Sequence, residues 1–255
     1  MHLITPLKMM MAEGEECLRD AVESDDPSFI YMQELHEGMS GLHAKCPDPD
    51  ALNETALFLA RHALSVWVSA VRLAYTGHAY AIPSVLRTAL EAVCYALIIA
   101  RDPSLAVAWH GRIESEEGMK ASKKAFQGAI AKARDILEQE EPTTGAYMYK
   151  LYLRMIDEGA HPNRKAIWTR PVMVMGGGQE TQYLTQTTDW HHPESLVGRK
   201  FILDCATVGL NLYRVTALTF SVPLADYRSH FKPLNERLLE MITAFNESQG
   251  HRSDH

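Results

Sequence analysis

A nearly continuous apolar stretch, AYAIPSVLRTALEAVCYALIIA at residues 79–100, constrains the fold more than any other part of the chain. Its only charged residues are Arg87 and Glu91, which are four positions apart and therefore project from one face of a helix. A helix that is apolar on nearly all sides is normally buried, and buried charges need partners. We therefore expect Arg87 and Glu91 to form a polar pair in the core, either structural or ligand-binding, whose loss in Glu91→Ala lowers stability.

A second long helix is predicted directly before this stretch, over residues 50–76, and Gly77 marks its end. The very short connection predicts that the two helices lie antiparallel, as a core helical hairpin over residues 50–101. Helical periodicity also covers residues 5–23, 28–45, 104–141, 142–159, 194–221 and 224–246. The sequence therefore predicts an all-α bundle of about eight helices, in a single domain over residues 1–247 with a loose tail over 248–255.

One segment departs from the helical pattern. Residues 171–175 and 180–187 flank a Gly-Gly-Gly turn at 176–178, which predicts a small β-hairpin inserted in the bundle over residues 171–187. No Lys-Ser/Thr pair follows the glycines, so they do not form a phosphate-binding loop.

A polar line runs along the predicted helix over 194–221, formed by Lys200, Asp204, Thr207 or Val208, Asn211 and Arg214. Two interpretations remain open. If these residues face similar lines on other helices, they form a buried polar seam, whereas if they face water they form an ordinary amphipathic surface. Sequence alone favours the second interpretation, but Arg87 and Glu91 favour a partial version of the first, because their helix has so little other polarity.

Composition limits the classes of partner. The net charge of −7 and the pI near 5.9 disfavour a broadly basic nucleic-acid-binding surface. The four cysteines form no Cys-x-x-Cys pair and indicate reduced thiols in a cytoplasmic protein. Asp189, His191 and His192 are a weak candidate metal group, and we expect no metal and no cofactor. Because the two most apolar stretches, 79–100 and 201–222, contain charges, we also expect no membrane partner.

The most suggestive chemical pair is Arg154 and His161, in LYLRMIDEGAHPNR. An arginine that holds a phosphate and a histidine that transfers a proton can, in principle, cleave RNA through its own 2′-hydroxyl without a metal. The structural alternative pairs Arg154 with Asp157 or Glu158 and uses His161 to cap the helix end. That alternative needs no ligand.

The Arg-x6-His element resembles the R-x4-6-H motif of the HEPN superfamily of small helical RNases, toxins and defence proteins. This resemblance implies that Arg154 binds phosphate, that His161 is the general acid/base, and that a homodimer forms a composite site. The chain is also similar to uncharacterised bacterial helical proteins that have an Arg-x3-Glu core helix and a later helix ending in His-Pro-Asn. That second resemblance adds Asn163 to Arg87 and Glu91 as a polar-core candidate and implies no activity.

Two hypotheses for function follow. The first is a cytoplasmic HEPN-like protein that cleaves RNA, of the toxin or defence type, with RNA as its partner and a homodimer as its assembly. The second is a non-enzymatic helical module that binds a partner protein or a small ligand. The nuclease hypothesis requires Arg154 and His161 to be accessible and within reach of one phosphate, whereas the module hypothesis requires neither.

Overall fold

The computed structural model describes residues 7–46, 53–160, 172–174, 184–186 and 190–250. The α-helices in these ranges are α1 (Leu7–Glu23), α2 (Pro27–Gly41), α3 (Glu54–Tyr75), α4 (Ile82–Arg101), α5 (Ser104–His110), α6 (Glu116–Ala125), α7 (Ala129–Glu140), α8 (Thr144–Met155), α9 (Leu196–Thr219) and α10 (Leu224–Gly250). A π-helical turn, Ile156–Ala160, follows α8, and two short strands, β1 (Val172–Val174) and β2 (Leu184–Gln186), precede α9. The prediction of an all-α helical bundle is confirmed.

Helices α3 and α4 form the predicted hairpin and pack against each other more extensively than any other pair of helices in the described residues. The Asn53 side chain caps α3 by accepting hydrogen bonds from the first backbone N–H groups of the helix. Gly77 makes the turn with a φ of 79°, and a Cβ atom there would lie 2.3 Å from Nε1 of Trp190. The connection therefore requires glycine for both its backbone conformation and its space.

Helix α9 lies at the centre of the bundle, in contact with α2, α3, α4 and α10. It is close to α3 because Gly209 has no side chain: a Cβ atom there would lie 2.7 Å from the Trp67 ring. The Trp67 indole Nε1 donates a hydrogen bond to the Cys205 backbone carbonyl at 2.8 Å. Buried polar groups of this kind need such a partner, and this bond fixes α3 against α9.

The single helix predicted over residues 104–141 is three helices, α5, α6 and α7, so the bundle has more helices than the predicted eight. Between α5 and α6, Ser115 has an extended backbone, and its side chain caps α6 by accepting a hydrogen bond from Gly118 N at 3.0 Å. Between α6 and α7, Gly128 breaks the helix with a left-handed φ of 68°. Both are stop signals that the alanine- and lysine-rich composition of the segment masked.

Within the predicted β-hairpin, β1 and β2 pair antiparallel, with Val172 opposite Gln186 and Val174 opposite Leu184. Residues 175–183, which include the glycine turn, lie outside the described residues. The complete hairpin over 171–187 therefore stays a prediction.

The expectation of no membrane partner is wrong. Among the described residues, three helices are long and apolar enough to cross a membrane, judged by length and composition: Glu54–Tyr75, Ala79–Arg101 and Leu196–Thr219. Scattered charges such as Arg87 and Glu91 do not prevent this, because an apolar window of 18 residues remains in each helix. Inside the fold, 33%, 67% and 83% of the respective windows are buried.

Candidate functional site

Arg87 and Glu91 form an ion pair one turn apart on α4, and the hydroxyl of Tyr152 on α8 joins it. Arg87 Nε donates to Glu91 Oε1 at 2.9 Å, and the Tyr152 hydroxyl donates to the same oxygen at 3.0 Å. The two charged side chains are 23% and 31% exposed, so the pair is half-buried rather than enclosed. Burial alone would lower the pKa of Arg87, but the Glu91 carboxylate and the Tyr152 hydroxyl raise it above its ordinary value.

Arg154 lies in a second cluster, which joins α8 and the π-helical turn to α9. Its Nη2 atom donates to Asp204 Oδ1 at 2.5 Å. Lys200 Nζ bridges two carboxylates: it donates to Asp204 Oδ2 at 2.7 Å and to Glu158 Oε2 at 2.6 Å. We call these four residues the α8–α9 charge cluster.

The Asp204 side chain is 6% exposed, whereas those of Arg154 and Lys200 are 40% and 39% exposed. Burial raises the pKa of Asp204 above its ordinary value, although Lys200 and Arg154 oppose that shift. Two cations and two carboxylates give the cluster a formal charge of zero. The charge of Arg154 is therefore already balanced within the cluster.

Of the residues predicted from the sequence as catalytic or polar-core residues, the structure describes Arg87, Glu91 and Arg154. Arg154 bonds to Asp204 from another helix, rather than to Asp157 or Glu158 as the structural alternative expected. His161 and Asn163 lie outside the described residues. The Arg87–Glu91 pair and the Arg154 bond are thus the observed parts of the predicted site.

The residues just after α8 and just before α9 both contact one end of the α3–α4 hairpin. After α8, the Gly159 backbone carbonyl accepts a hydrogen bond from the Ser84 hydroxyl at 3.2 Å. Before α9, His191 N donates to the carbonyl of Gly77 at 2.9 Å, and its ring Nε2 lies 3.0 Å from the Tyr80 hydroxyl. Burial lowers the pKa of His191, so its ring favours the neutral form.

The polar line on α9 faces the protein interior, contrary to the interpretation that sequence alone favoured. Asp204 and Asn211 are 4% and 5% exposed. Asn211 Nδ2 donates to the Thr207 carbonyl at 2.8 Å, and Arg214 makes contacts with three other helices or connections. This line is therefore a buried seam, and its C-terminal part opens into a cavity.

That cavity, which we call the α8–α10 groove, has a volume of about 800 Å³ and lies between α8, α9, α10 and the end of α7. It is lined by Glu138, Glu140, Glu141, Pro142, Thr143, Thr144, Ala146, Tyr147, Lys150, Leu210, Asn211, Arg214, Arg228, Phe231, Asn235, Leu238, Leu239 and Ile242. Apolar side chains come mainly from α10, whereas the carboxylates come from the end of α7 and its connection to α8. Lys150 on α8, Arg214 on α9 and Arg228 on α10 supply the cations. The groove thus has an apolar side along α10, bordered by charged groups.

Arg214 is the fixed polar centre of the groove. Its Nε donates to the Tyr227 hydroxyl at 2.9 Å and lies 3.1 Å from Glu141 Oε2, while Nη1 donates to Thr144 Oγ1 at 3.0 Å. The guanidinium carbon also lies 4.4 Å from the centre of the Phe231 ring, a cation–π distance. Burial raises the pKa of Tyr227 to about 12, so its hydroxyl remains protonated beside Arg214.

No group of three or more histidine, cysteine, aspartate or glutamate side chains in the described residues could hold a metal ion. His191 contacts the Tyr80 hydroxyl, whereas His192 accepts from Glu194 N at 3.2 Å. Asp189, the third member of the weak metal candidate, lies outside the described residues. The expected lack of a metal and a cofactor stays a prediction.

Sequence reasoning named Lys200, Asp204 and Arg214 as polar positions but assigned them no partners. Asp204 and Arg214 follow Lys200 by four and fourteen residues, which places all three along one helix, yet no local pattern identifies which helix they face. Tyr152 was missed altogether. Its two-residue spacing from Arg154 shows only that the two side chains lie on different faces of α8, and nothing local links Tyr152 to Glu91 on α4.

No protein-family model, curated protein or solved structure matches this chain. The resemblance to the HEPN superfamily therefore stays a prediction, and the site is interpreted from its own chemistry.

Proposed function

We propose that this chain is a non-enzymatic helical module that binds a small ligand in the α8–α10 groove. The observation that carries the proposal is the groove itself, with a volume of about 800 Å³ and an apolar side against a fixed polar centre. Ligand pockets of about 300–1,000 Å³ with a few well-placed polar groups are typical of small-molecule sites. Arg214 supplies such a group, because its contacts hold it in place without a ligand.

The bonds of Arg154 favour this proposal over RNA cleavage. For Arg154 to hold a phosphate, it would have to release the buried Asp204 carboxylate or share its guanidinium with it. A hydrogen bond to a charged group contributes about 1.5–3 kcal/mol, and that contribution opposes the release. The α8–α9 charge cluster already pairs the charge of Arg154 with a buried carboxylate, which supports a structural role, although the buried Nε of Arg154 has no hydrogen-bond partner among the described residues.

We propose that residues 171–187 form a β-hairpin inserted between α8 and α9, supported by the antiparallel register of β1 and β2. The cytoplasmic location likewise remains a proposal that rests on the reduced-thiol composition.

A neutral fluorescent dye tests the groove as a binding site. Nile red titrated into the purified protein should show saturable fluorescence at a single site. Ala146→Trp should abolish it, because Ala146 is an exposed α8 position that lines the groove and an indole there would fill the cavity. Ala121→Trp, at an exposed α6 position away from the groove, is the matched control and should bind like the wild type.

Equal binding by the Ala146→Trp and Ala121→Trp variants, or no saturable binding by the wild type, would refute the groove as the site. An RNA-cleavage assay tests the enzymatic alternative separately. If the wild type cleaves RNA, and both His161→Ala and Arg154→Gln abolish cleavage while remaining folded, the non-enzymatic proposal is wrong and the HEPN-like hypothesis takes its place.

A further inference from the structure

Some charged side chains of the α8–α10 groove are bonded to other protein groups and others keep free hydrogen-bond donors. This difference indicates what kind of ligand the groove takes. We infer that the ligand is a small amphiphile whose apolar body lies against α10 and whose single anionic head group, a carboxylate or a phosphate, lies between Lys150 and Arg228. This inference rests on the proposed function and names the ligand class of the same groove.

Two of the three carboxylates that line the groove accept hydrogen bonds from the protein, and the third forms ion pairs. Glu138 accepts from Thr143 N at 2.8 Å and from Ala146 N at 3.0 Å, and Glu140 accepts from Arg101 Nη2 at 2.6 Å. Glu141 forms ion pairs with Arg214 at 3.1 Å and with Arg228 at 3.7 Å, although its buried Oε2 accepts no hydrogen bond from the described residues. A cationic ligand would have to compete with these two arginines for Glu141 and with protein donors for Glu138 and Glu140.

Two cations of the groove, in contrast, have unused hydrogen-bonding capacity. The Arg228 side chain is 61% exposed, and its nearest carboxylate oxygen, Glu141 Oε1, is 3.7 Å from Nη2, which is too long for a hydrogen bond. Lys150 is an exposed residue of α8, and no ion-pair partner for it lies in the part of the chain that the structure describes. The two cations belong to different helices, α8 and α10, which both line the groove.

The apolar side of the groove gives the ligand its second property. Leu238 and Phe231 are buried at 4% and 9% exposure, while Leu239 beside them is 55% exposed. Covering an exposed leucine with an apolar ligand contributes about 25 cal/mol for each Å² removed from water. An apolar body with a terminal anion therefore matches both sides of the groove at once.

Four probes with the same ten-carbon chain and different head groups test this inference by calorimetric titration below their micelle concentrations. The probes are decanoate, decyl phosphate, decanol and decyltrimethylammonium. The wild type should bind the two anions about tenfold more tightly than decanol, equivalent to about 1.4 kcal/mol, and the cation most weakly. The preference should decrease with added salt, because ions screen exposed charges. Whichever anion binds more tightly identifies the head group.

A double variant, Lys150→Gln with Arg228→Gln, should remove the preference for anions and leave decanol binding unchanged. Lys123→Gln with Lys124→Gln, two exposed α6 lysines outside the groove, is the matched control and should keep the preference.

The outcomes separate the two proposals. If decanol binds as tightly as the anions, or the double variant keeps the preference, the inference about the head group is wrong while the groove remains a ligand site. If the cation binds most tightly, the inference is also wrong. If none of the four probes binds and Nile red does not bind either, the proposed function itself fails.

Discussion

Removing Arg154 from the α8–α9 charge cluster is the perturbation that best separates a structural arginine from a catalytic one. Arg154→Gln leaves the buried Asp204 with Lys200 alone, and Lys200 is shared with Glu158. The cluster then has a net charge of −1 around a carboxylate that is 6% exposed. The folded state should therefore lose stability, even though the substitution removes no apolar contact from the core.

The magnitude follows from the geometry. Two unit charges about 4 Å apart interact by about 4 kcal/mol at the effective dielectric constant near 20 that suits protein surfaces. The Arg154 side chain is 40% exposed, so solvent screening and desolvation offset more than half of this. We expect Arg154→Gln to lower the free energy of unfolding by about 1–2 kcal/mol, or about 2–8 °C in Tm.

The assay is a double-mutant cycle of Arg154→Gln, Asp204→Asn and the double variant, followed by urea unfolding at pH 7. The coupling free energy should be about 1–2 kcal/mol, because the two side chains are in direct contact. Arg19→Gln, at an exposed α1 position, is the matched control and should change stability by less than about 0.5 kcal/mol. A coupling energy below about 0.3 kcal/mol would refute the reasoning and leave Arg154 available to a phosphate.

The same variant has a predictable dependence on pH. Arg154 opposes the rise in the pKa of Asp204 that burial causes, so its removal raises that folded-state pKa further. At low pH, Asp204 is protonated in both the wild type and Arg154→Gln, so its titration contributes no difference in stability between the two proteins. As the pH rises above the wild-type pKa of Asp204, which itself lies above the model-peptide value of 3.8, the wild type gains stability relative to Arg154→Gln. A deficit that is independent of pH would contradict this account.

Two further variants test the core hairpin. Glu91→Ala should lower the free energy of unfolding by about 1 kcal/mol in thermal unfolding, because Arg87 is 23% exposed and water can solvate part of its charge; wild-type-like unfolding would show that the pair contributes nothing. Gly77→Ala should cost more than about 1 kcal/mol, because φ is 79° and the new Cβ would meet Trp190. Gly41→Ala, whose Cβ would have no neighbour within 4 Å among the described residues, is its control, and an equal cost for both would refute the steric argument.

Helical periodicity predicted the bundle well where apolar residues recur on one face, as in α3, α4 and α9. It failed over 104–141, where alanine and lysine favour helix at most positions and the local signals of Ser115 and Gly128 decide the boundaries. Those signals were present in the sequence. They were outweighed because composition was averaged over a long segment.

The candidate site was less predictable for a different reason. The partner of Arg154 is Asp204, 50 residues away, and the partners of Arg214 lie on the α7–α8 connection and on α10. Sequence spacing shows which side chains share a face of one helix, but not which helix lies opposite. Pairing Arg154 with nearby Asp157 or Glu158 was the local solution, and tertiary packing favoured a distant one.

The anchoring of the segment between α8 and α9 has a consequence for how the chain can change. Gly159 is bonded to Ser84 at its start, and His191 is bonded to Gly77 and close to Tyr80 at its end. Because both anchors belong to residues 77–84, the two described ends of the sequence between α8 and α9 are held at a single corner of the bundle. Lengthening a chain between two such fixed points adds closure entropy that grows only with the logarithm of its length. This corner can therefore accept inserted sequence, or a grafted domain, while the helices on either side keep their places.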